Sequence, residues 1–234
     1  MKVDRDGWVF EVVDDPATRA WNFWEDQFAT GVWEPRTLDL IDNLAPDDTY
    51  LDIGSWVGPT VLWGARLAGR VVAVEPDPVA ADVLEANVAA NPGLSQVDVV
   101  RKAVAAPHQQ WPQPLSSPPG GQLGDSCTSV LHHGANSISA EPTTIDDLLG
   151  MIDGHVGLVK IDIEGAEGLV FPAAEATLRA LGCPIILALH LPWIGQMDRN
   201  DLLGAVNRFK VEVLDDSNPQ FPTVALYSSW KGGQ

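Results

Sequence analysis

From about residue 49 onward, short apolar runs alternate with stretches whose apolar residues recur at helical spacing. That alternation is the mark of an α/β domain on a mainly parallel sheet. Residues 49–53 read as the first strand, ending at Gly54. A helix follows, opened by Pro59, where a missing N–H costs nothing, and stopped near Gly69. Residues 70–75 are the second strand. Asp77 and Pro78 then supply an N-cap and a first-turn proline for a helix to about Asn91. Residues 97–100 give the third strand, extending toward Val104.

Further along, Thr144-Ile145-Asp146-Asp147 has the capping-box spacing, with Asp in place of Glu, and opens a short helix. Residues 157–163 form the fourth strand, and a helix from Gly165 toward Leu181 is expected to break at Pro172. Residues 184–191 are apolar throughout, as in a strand covered on both faces. A helix over 198–209 and strands at 211–214 and 223–227 close the chain, the last two as a hairpin that puts an antiparallel strand beside the sheet. Between Pro107 and Gly121 the pattern collapses into a proline-rich loop, read either as part of the substrate side or as a solvated insertion. The first 45 residues carry Trp8, Trp21, Trp24 and Trp33 among acidic residues and read as a helical cap over the mouth of the sheet.

Composition narrows the partners. With 32 Asp and Glu against 14 Lys and Arg, the formal charge is −18, a field that repels a phosphate backbone. The longest basic run is Arg101-Lys102, so nucleic acid is disfavoured as a partner. The two cysteines, Cys127 and Cys183, have no metal-ligand spacing and fit a reducing cytoplasm. The N-terminus lacks the apolar stretch of a signal peptide, and the strongest apolar run, 185–189, is too short for a bilayer. A cytoplasmic chain without a membrane partner is expected.

Three motifs carry chemistry. In Asp52-Ile53-Gly54-Ser55-Trp56-Val57-Gly58, Gly54 allows a sharp turn and Gly58 a close approach of the helix start to a ligand. Asp52 suits a cofactor ammonium, and the helix N-terminus an anionic group. Glu75, 23 residues after Asp52, ends the second strand where an acidic residue binds ribose hydroxyls. In Lys160-Ile161-Asp162-Ile163-Glu164-Gly165-Ala166-Glu167, alternation sets Lys160, Asp162 and Glu164 on one face as the strand emerges into the cleft. Pro76, Lys102 and Ala103, with Ser55, Trp56 and Asp162, complete the candidate cofactor contacts.

These motifs, with 72–78 and 144–149, occur in the order found in FkbM-type methyltransferases, which the chain resembles over roughly residues 30–195. The resemblance implies a doubly wound, seven-strand, mostly parallel α/β sheet of the Rossmann-like class I type. It spans residues 46–234 with a loop-rich insertion at about 105–142, and residues 1–45 form the helical cap of the same domain. It also implies S-adenosylmethionine as donor and O-methylation of sugars or natural products. Two positions depart from the family pattern: Ser55-Trp56 replace Ala-Asn, and Ala188 replaces a Glu two residues before His190, removing a carboxylate partner for that histidine.

For a hydroxyl acceptor a base must take the proton, and His190 is the expected one, with Asp162 or Glu164 as the alternative base or orienting group. His132 and His133 read as surface residues, and the absence of local ligand spacing predicts no metal. The expected activity is O-methylation of a small molecule or glycan. The rival readings are a nicotinamide-dependent oxidoreductase, which lacks its GxGxxG, a donor-binding protein without catalysis and, third, a nucleic-acid methyltransferase, which would be retained on heparin despite the acidic charge.

Overall fold

The computed structural model describes residues 1–19, 22–110, 114–117, 121–129, 131 and 137–228. The chain opens with β1 (Lys2–Arg5), β2 (Trp8–Glu11), α1 (Pro16–Arg19), a π-helical segment (Phe23–Phe28) and α2 (Pro35–Ile41). A β-α-β-α-β run follows: β3 (Asp48–Ile53), α3 (Pro59–Gly64), β4 (Arg70–Val74), α4 (Pro78–Ala89) and β5 (Gln96–Val100). Short strands β6 (Lys102–Val104), β7 (Pro114–Ser116), β8 (Ser137–Ser139) and β9 (Glu141–Thr143) lead into α5 (Ile145–Gly150). The remainder is β10 (His155–Ile161), α6 (Glu167–Leu181), β11 (Ile185–Ala188), α7 (Gln196–Val206), β12 (Lys210–Asp215) and β13 (Thr223–Tyr227).

Seven strands form one sheet in the order β12-β13-β11-β10-β3-β4-β5. All pair in parallel except β13, which runs antiparallel to both β11 and β12. Sequence order reverses between β3 and β10, and in open sheets that reversal leaves a crevice at the carboxyl ends of the strands. Along β3, Leu51 and Ile53 pack on one face with Phe171 and Leu178 of α6. Tyr50 packs on the other with Val61 and Leu62 of α3 and with the N-terminal aromatic residues Phe10, Phe23, Trp24 and Phe28.

Three expectations change. The N-terminal segment is not purely helical: residues 2–11 are a β-hairpin whose Asp6-Gly7 turn has φ of 54° and 82°. A two-residue loop with positive φ at both central positions matches strand twist, and Asp-Gly is a preferred pair for it. Arg5 is buried from that hairpin, its guanidinium over the rings of Phe28 and Trp63 and donating to the Phe28 carbonyl at 3.0 Å. The third strand stops at Val100; Arg101 is drawn to Asp82 and Glu85 of α4, and β6 leaves the sheet to pair with β9. Helix α6 runs through Pro172 without a break. One missing hydrogen bond is outweighed there by the burial of Val170, Phe171, Ala174 and Leu178 around it. Thr144 and Asp147 form the reciprocal capping box at the start of α5. Among the described residues no helix is long and apolar enough to cross a membrane.

Gly58 has φ +90°, and a Cβ there would lie 2.4 Å from Leu84 Cδ1 of α4. Glycine is required there by the packing of α3 against α4, and Gly58 is not among the residues that line the cavity described below. Gly58→Ala is expected to destabilise the chain by about 2–4 kcal/mol, from left-handed strain plus overpacking. Urea unfolding checks this, and an unchanged midpoint would contradict it.

Candidate active site

A cavity of about 280 Å³ opens at the carboxyl ends of β3, β4, β10 and β11. Trp33 and Glu34 of the N-terminal segment and Leu115, Asp125, Ser126 and Thr128 of the insertion close over it. The insertion is held there by Asp77. One oxygen of this buried carboxylate caps α4 at Val79 N (2.9 Å), and the other accepts from Gly124 N (2.7 Å) and Thr128 Oγ1 (3.0 Å).

One half of the cavity is built by the glycine loop. Gly54 has φ +82°, and a Cβ there would meet the Asp162 carbonyl oxygen at 1.7 Å, so only glycine lets the end of β10 lie against the loop. The Gly54 and Ser55 amides both donate to the Val74 carbonyl, which ties the loop to β4 and leaves neither amide for an anion. Trp56, at φ +49°, donates its backbone N–H to Glu75 Oε2 (2.8 Å) and its indole N–H to the Gly124 carbonyl (2.8 Å). Glu75 Oε1 accepts from Asp77 N at 2.8 Å. Burial pushes the Glu75 carboxyl up to about 7 against the pull of these two amides. Gly54, Ser55, Trp56, Glu75, Pro76, Lys102 and Ala103 all line the cavity.

Asp52 does not line it. Its side chain, fully buried on the α3 side with Tyr50, accepts from Tyr50 Oη (3.0 Å) and Thr60 Oγ1 (2.5 Å). Its Oδ1 makes no hydrogen bond and lies 3.8 Å from Lys160 Nζ. Burial raises its pKa. Asp52 is therefore joined to the cavity wall through Thr60 and Lys160, which do line it. Lys160 reaches Asp162 Oδ2 at 3.0 Å and the Gly54 carbonyl at 3.3 Å. Burial works against its charge, yet Asp162, Asp52 and Glu34 hold it above the ordinary lysine range.

The other half gathers Asp162, Glu164 and His190, whose ligand-type atoms all lie within 4.8 Å of one another. Such a group can hold a cation, which the spacing in sequence did not reveal because His190 enters from the end of β11. Ala188 does not leave His190 without a carboxylate: Nδ1 lies 3.0 Å from Glu167 Oε1, and Nε2 lies 3.2 Å from Glu164 Oε2 and 3.7 Å from Asp162 Oδ1. The ring stacks on Trp193 at 5.0 Å and 8°. Burial opposes its charge, but Glu167, Asp162 and Glu164 push His190 up to about 9. In the free chain it is thus an imidazolium at neutral pH, not a ready base on its own. Burial, reinforced by Asp162, pushes Glu164 up to about 8, while Lys160 and His190 hold Asp162 below the usual carboxylate range despite its burial.

Two residues of the site were missed from sequence. Glu167 falls within the quoted motif, but its bond to a histidine 23 residues on is tertiary. Glu34, at φ +41° before Pro35, lines the cavity and is pushed up to about 7 by burial. His132 and His133 lie outside the described residues.

The cavity wall carries Glu34, Glu75, Asp125, Asp162, Glu164 and Asp215 against Lys102, Lys160 and His190. That surplus of carboxylate disfavours a pyrophosphate and suits a ligand bearing positive charge. The sheet order and a site at its carboxyl edge define a Rossmann-like class I methyltransferase. The chain belongs to the FkbM methyltransferase family: the family's methyltransferase FkbM domain matches residues 57–214.

The FkbM methyltransferase of Methylobacillus flagellatus shares the fold at TM-score 0.52 and 14% identity, over 79% of this chain and 44% of that one. An rRNA methylase structure from Clostridium thermocellum matches at TM-score 0.52 and 14% identity, over 82% and 93%. In sequence, 144 residues are 30% identical to ribosomal RNA small subunit methyltransferase A of Kineococcus radiotolerans, covering 61% of this chain and 43% of that protein. The chain thus spans under half the length of this curated relative. The methyl donor is S-adenosylmethionine. The residues present fit it: a sulfonium meets a carboxylate-rich wall, and the buried Glu75 carboxylate faces the cavity with lone pairs left to accept from a diol.

Asp77→Ala removes the α4 cap and both bonds to the insertion. Amide exchange at Gly124 and its neighbours is expected to speed up at least tenfold, with a loss of about 1–2 kcal/mol in stability. Unchanged protection at Gly124 would contradict the tether.

Proposed function

We propose that the chain methylates a hydroxyl oxygen of a small hydroxylated molecule or glycan. The observation that carries this reading is the Asp162–Glu164–His190 cluster on the wall of the same cavity as Gly54 and Glu75. Bound S-adenosylmethionine supplies an electrophilic methyl carbon, transferred in line to the acceptor oxygen. Glu75 accepts the ribose hydroxyls. Lys160 and Glu34, of opposite charge, face the carboxylate and ammonium of the donor's amino-acid end. Trp56 and the insertion tied to Asp77 exclude water. Asp162, ionised beside Lys160, orients the acceptor hydroxyl and accepts the proton that oxygen loses.

A second reading is an RNA acceptor, favoured by the ribosomal RNA methyltransferase relative. Against it, every arginine except Arg199 ion-pairs with a carboxylate, and Arg199 donates to the Leu191 carbonyl. Little guanidinium is left to bind phosphates.

Incubation with methyl-labelled donor and either a panel of hydroxylated metabolites and sugars or ribosomal RNA separates the readings. Label is expected in a small hydroxylated acceptor. Label in RNA, with retention of the chain on heparin, would overturn the proposal, as would donor binding without turnover on either. Calorimetry is expected to give heat with S-adenosylmethionine and none with NAD, and Glu75→Ala to weaken donor binding by about tenfold or more.

A further inference from the structure

We infer that Asp162, Glu164 and His190 form a binding site for one divalent cation at the acceptor end of the cavity. The inference builds on the reading of this end as the acceptor side. It starts from three polar atoms that converge on one point. His190 is buried to nine-tenths, and its Nε2 faces carboxylate oxygens 3.2 and 3.7 Å away. Glu164 Oε2, the nearer of these, is buried and makes no hydrogen bond. Asp162 commits Oδ2 to Lys160 and turns Oδ1 toward the imidazole.

The orientation of the ring is set from behind. Glu167, fully buried, accepts from Ile163 N and Gly165 N at 2.8 Å each, and its Oε1 lies 3.0 Å from His190 Nδ1. In the neutral ring, a carboxylate so fixed draws the one proton to Nδ1 and leaves the Nε2 lone pair directed at Glu164 and Asp162. This is the outer-sphere arrangement that orients metal-binding histidines. Three lone-pair atoms converging on one point repel one another unless a positive charge lies between them. A proton on His190 is one such charge; a divalent cation is the other, and it meets all three atoms at once.

Spacing fits the ion. Ligand atoms about 2.1 Å from a metal stand roughly 3–4.2 Å apart, and here all three lie within 4.8 Å, so a small inward movement of the Glu164 side chain completes the set. Two carboxylate oxygens and one imidazole nitrogen suit Mn²⁺, Fe²⁺ or Zn²⁺ better than a soft ion. All three residues line the cavity, so the remaining coordination positions open toward the acceptor.

The test uses the full chain, treated with chelator and titrated with MnCl₂, with the free-ion electron paramagnetic resonance signal as readout. One Mn²⁺ per chain is expected, with nitrogen modulation from an imidazole ligand in the pulsed spectrum of the wild type. Glu164→Gln and His190→Ala are each expected to weaken uptake at least tenfold. Calorimetry with S-adenosylmethionine on the same wild-type sample separates the two readings. Donor binding with no uptake of Mn²⁺, Zn²⁺ or Mg²⁺ at millimolar concentration overturns the cation site and leaves the methyltransfer proposal standing. Mn²⁺ uptake without donor binding does the reverse. Uptake that lacks nitrogen modulation, or that persists in both variants, puts the ion elsewhere and also overturns the inference.

Discussion

The site depends on one buried ammonium. Lys160, 4% exposed, lies between Asp52 at the end of β3 and Asp162 just beyond β10, and it donates to the carbonyl of Gly54. These two strands flank the point where the sheet reverses its order, so the charge joins the halves of the fold where the cavity opens. A buried charge is costly alone and tolerable only with partners, and removing one member of such a set typically costs about 3–5 kcal/mol. Lys160 is also why Asp162 stays ionised in a buried position. The contact of Gly54 with the Asp162 carbonyl enforces the same closeness sterically, since no side chain fits between them.

Around that centre, each wall is fixed by a polar group with two duties. Asp77 starts α4 and anchors the insertion. Glu75 holds the Trp56 and Asp77 amides while facing the cavity. Glu167 braces the turn over residues 163–165 and aims His190. The consequence is a pocket whose carboxylates outnumber its cations, which matches a sulfonium donor. The chain's acidity, read from composition as a barrier to nucleic acid, is in the structure also a property of the site itself.

What could be read from sequence was what is local. Strand and helix periodicity located all seven strands of the sheet, and the capping box at Thr144 formed as its spacing predicts. Gly54 and Glu75 stood out because the turn and the strand end that need them are contiguous in the chain. The misreadings came from tertiary contacts. Alternation along 2–11 was masked by the tryptophan spacing, and Arg101 ended a strand because of two carboxylates on another element. Asp52 was placed on the ligand since nothing in its neighbourhood of sequence announces Lys160, and Ala188 seemed to orphan His190 because Glu167 serves that histidine from a different helix. Glu34 joins the cavity only through the folding of the N-terminal segment against α3.

The central claim is that a single cavity holds the donor on the glycine-loop side and presents its reactive end to Asp162, Glu164 and His190. A crystal structure with S-adenosylhomocysteine bound tests it most directly. The account predicts ribose hydroxyls on Glu75, the amino-acid end beside Lys160 and Glu34, and the sulfur directed at the Asp162–Glu164–His190 cluster. A sulfur facing away from that cluster, or a ribose seated elsewhere than Glu75, would contradict it.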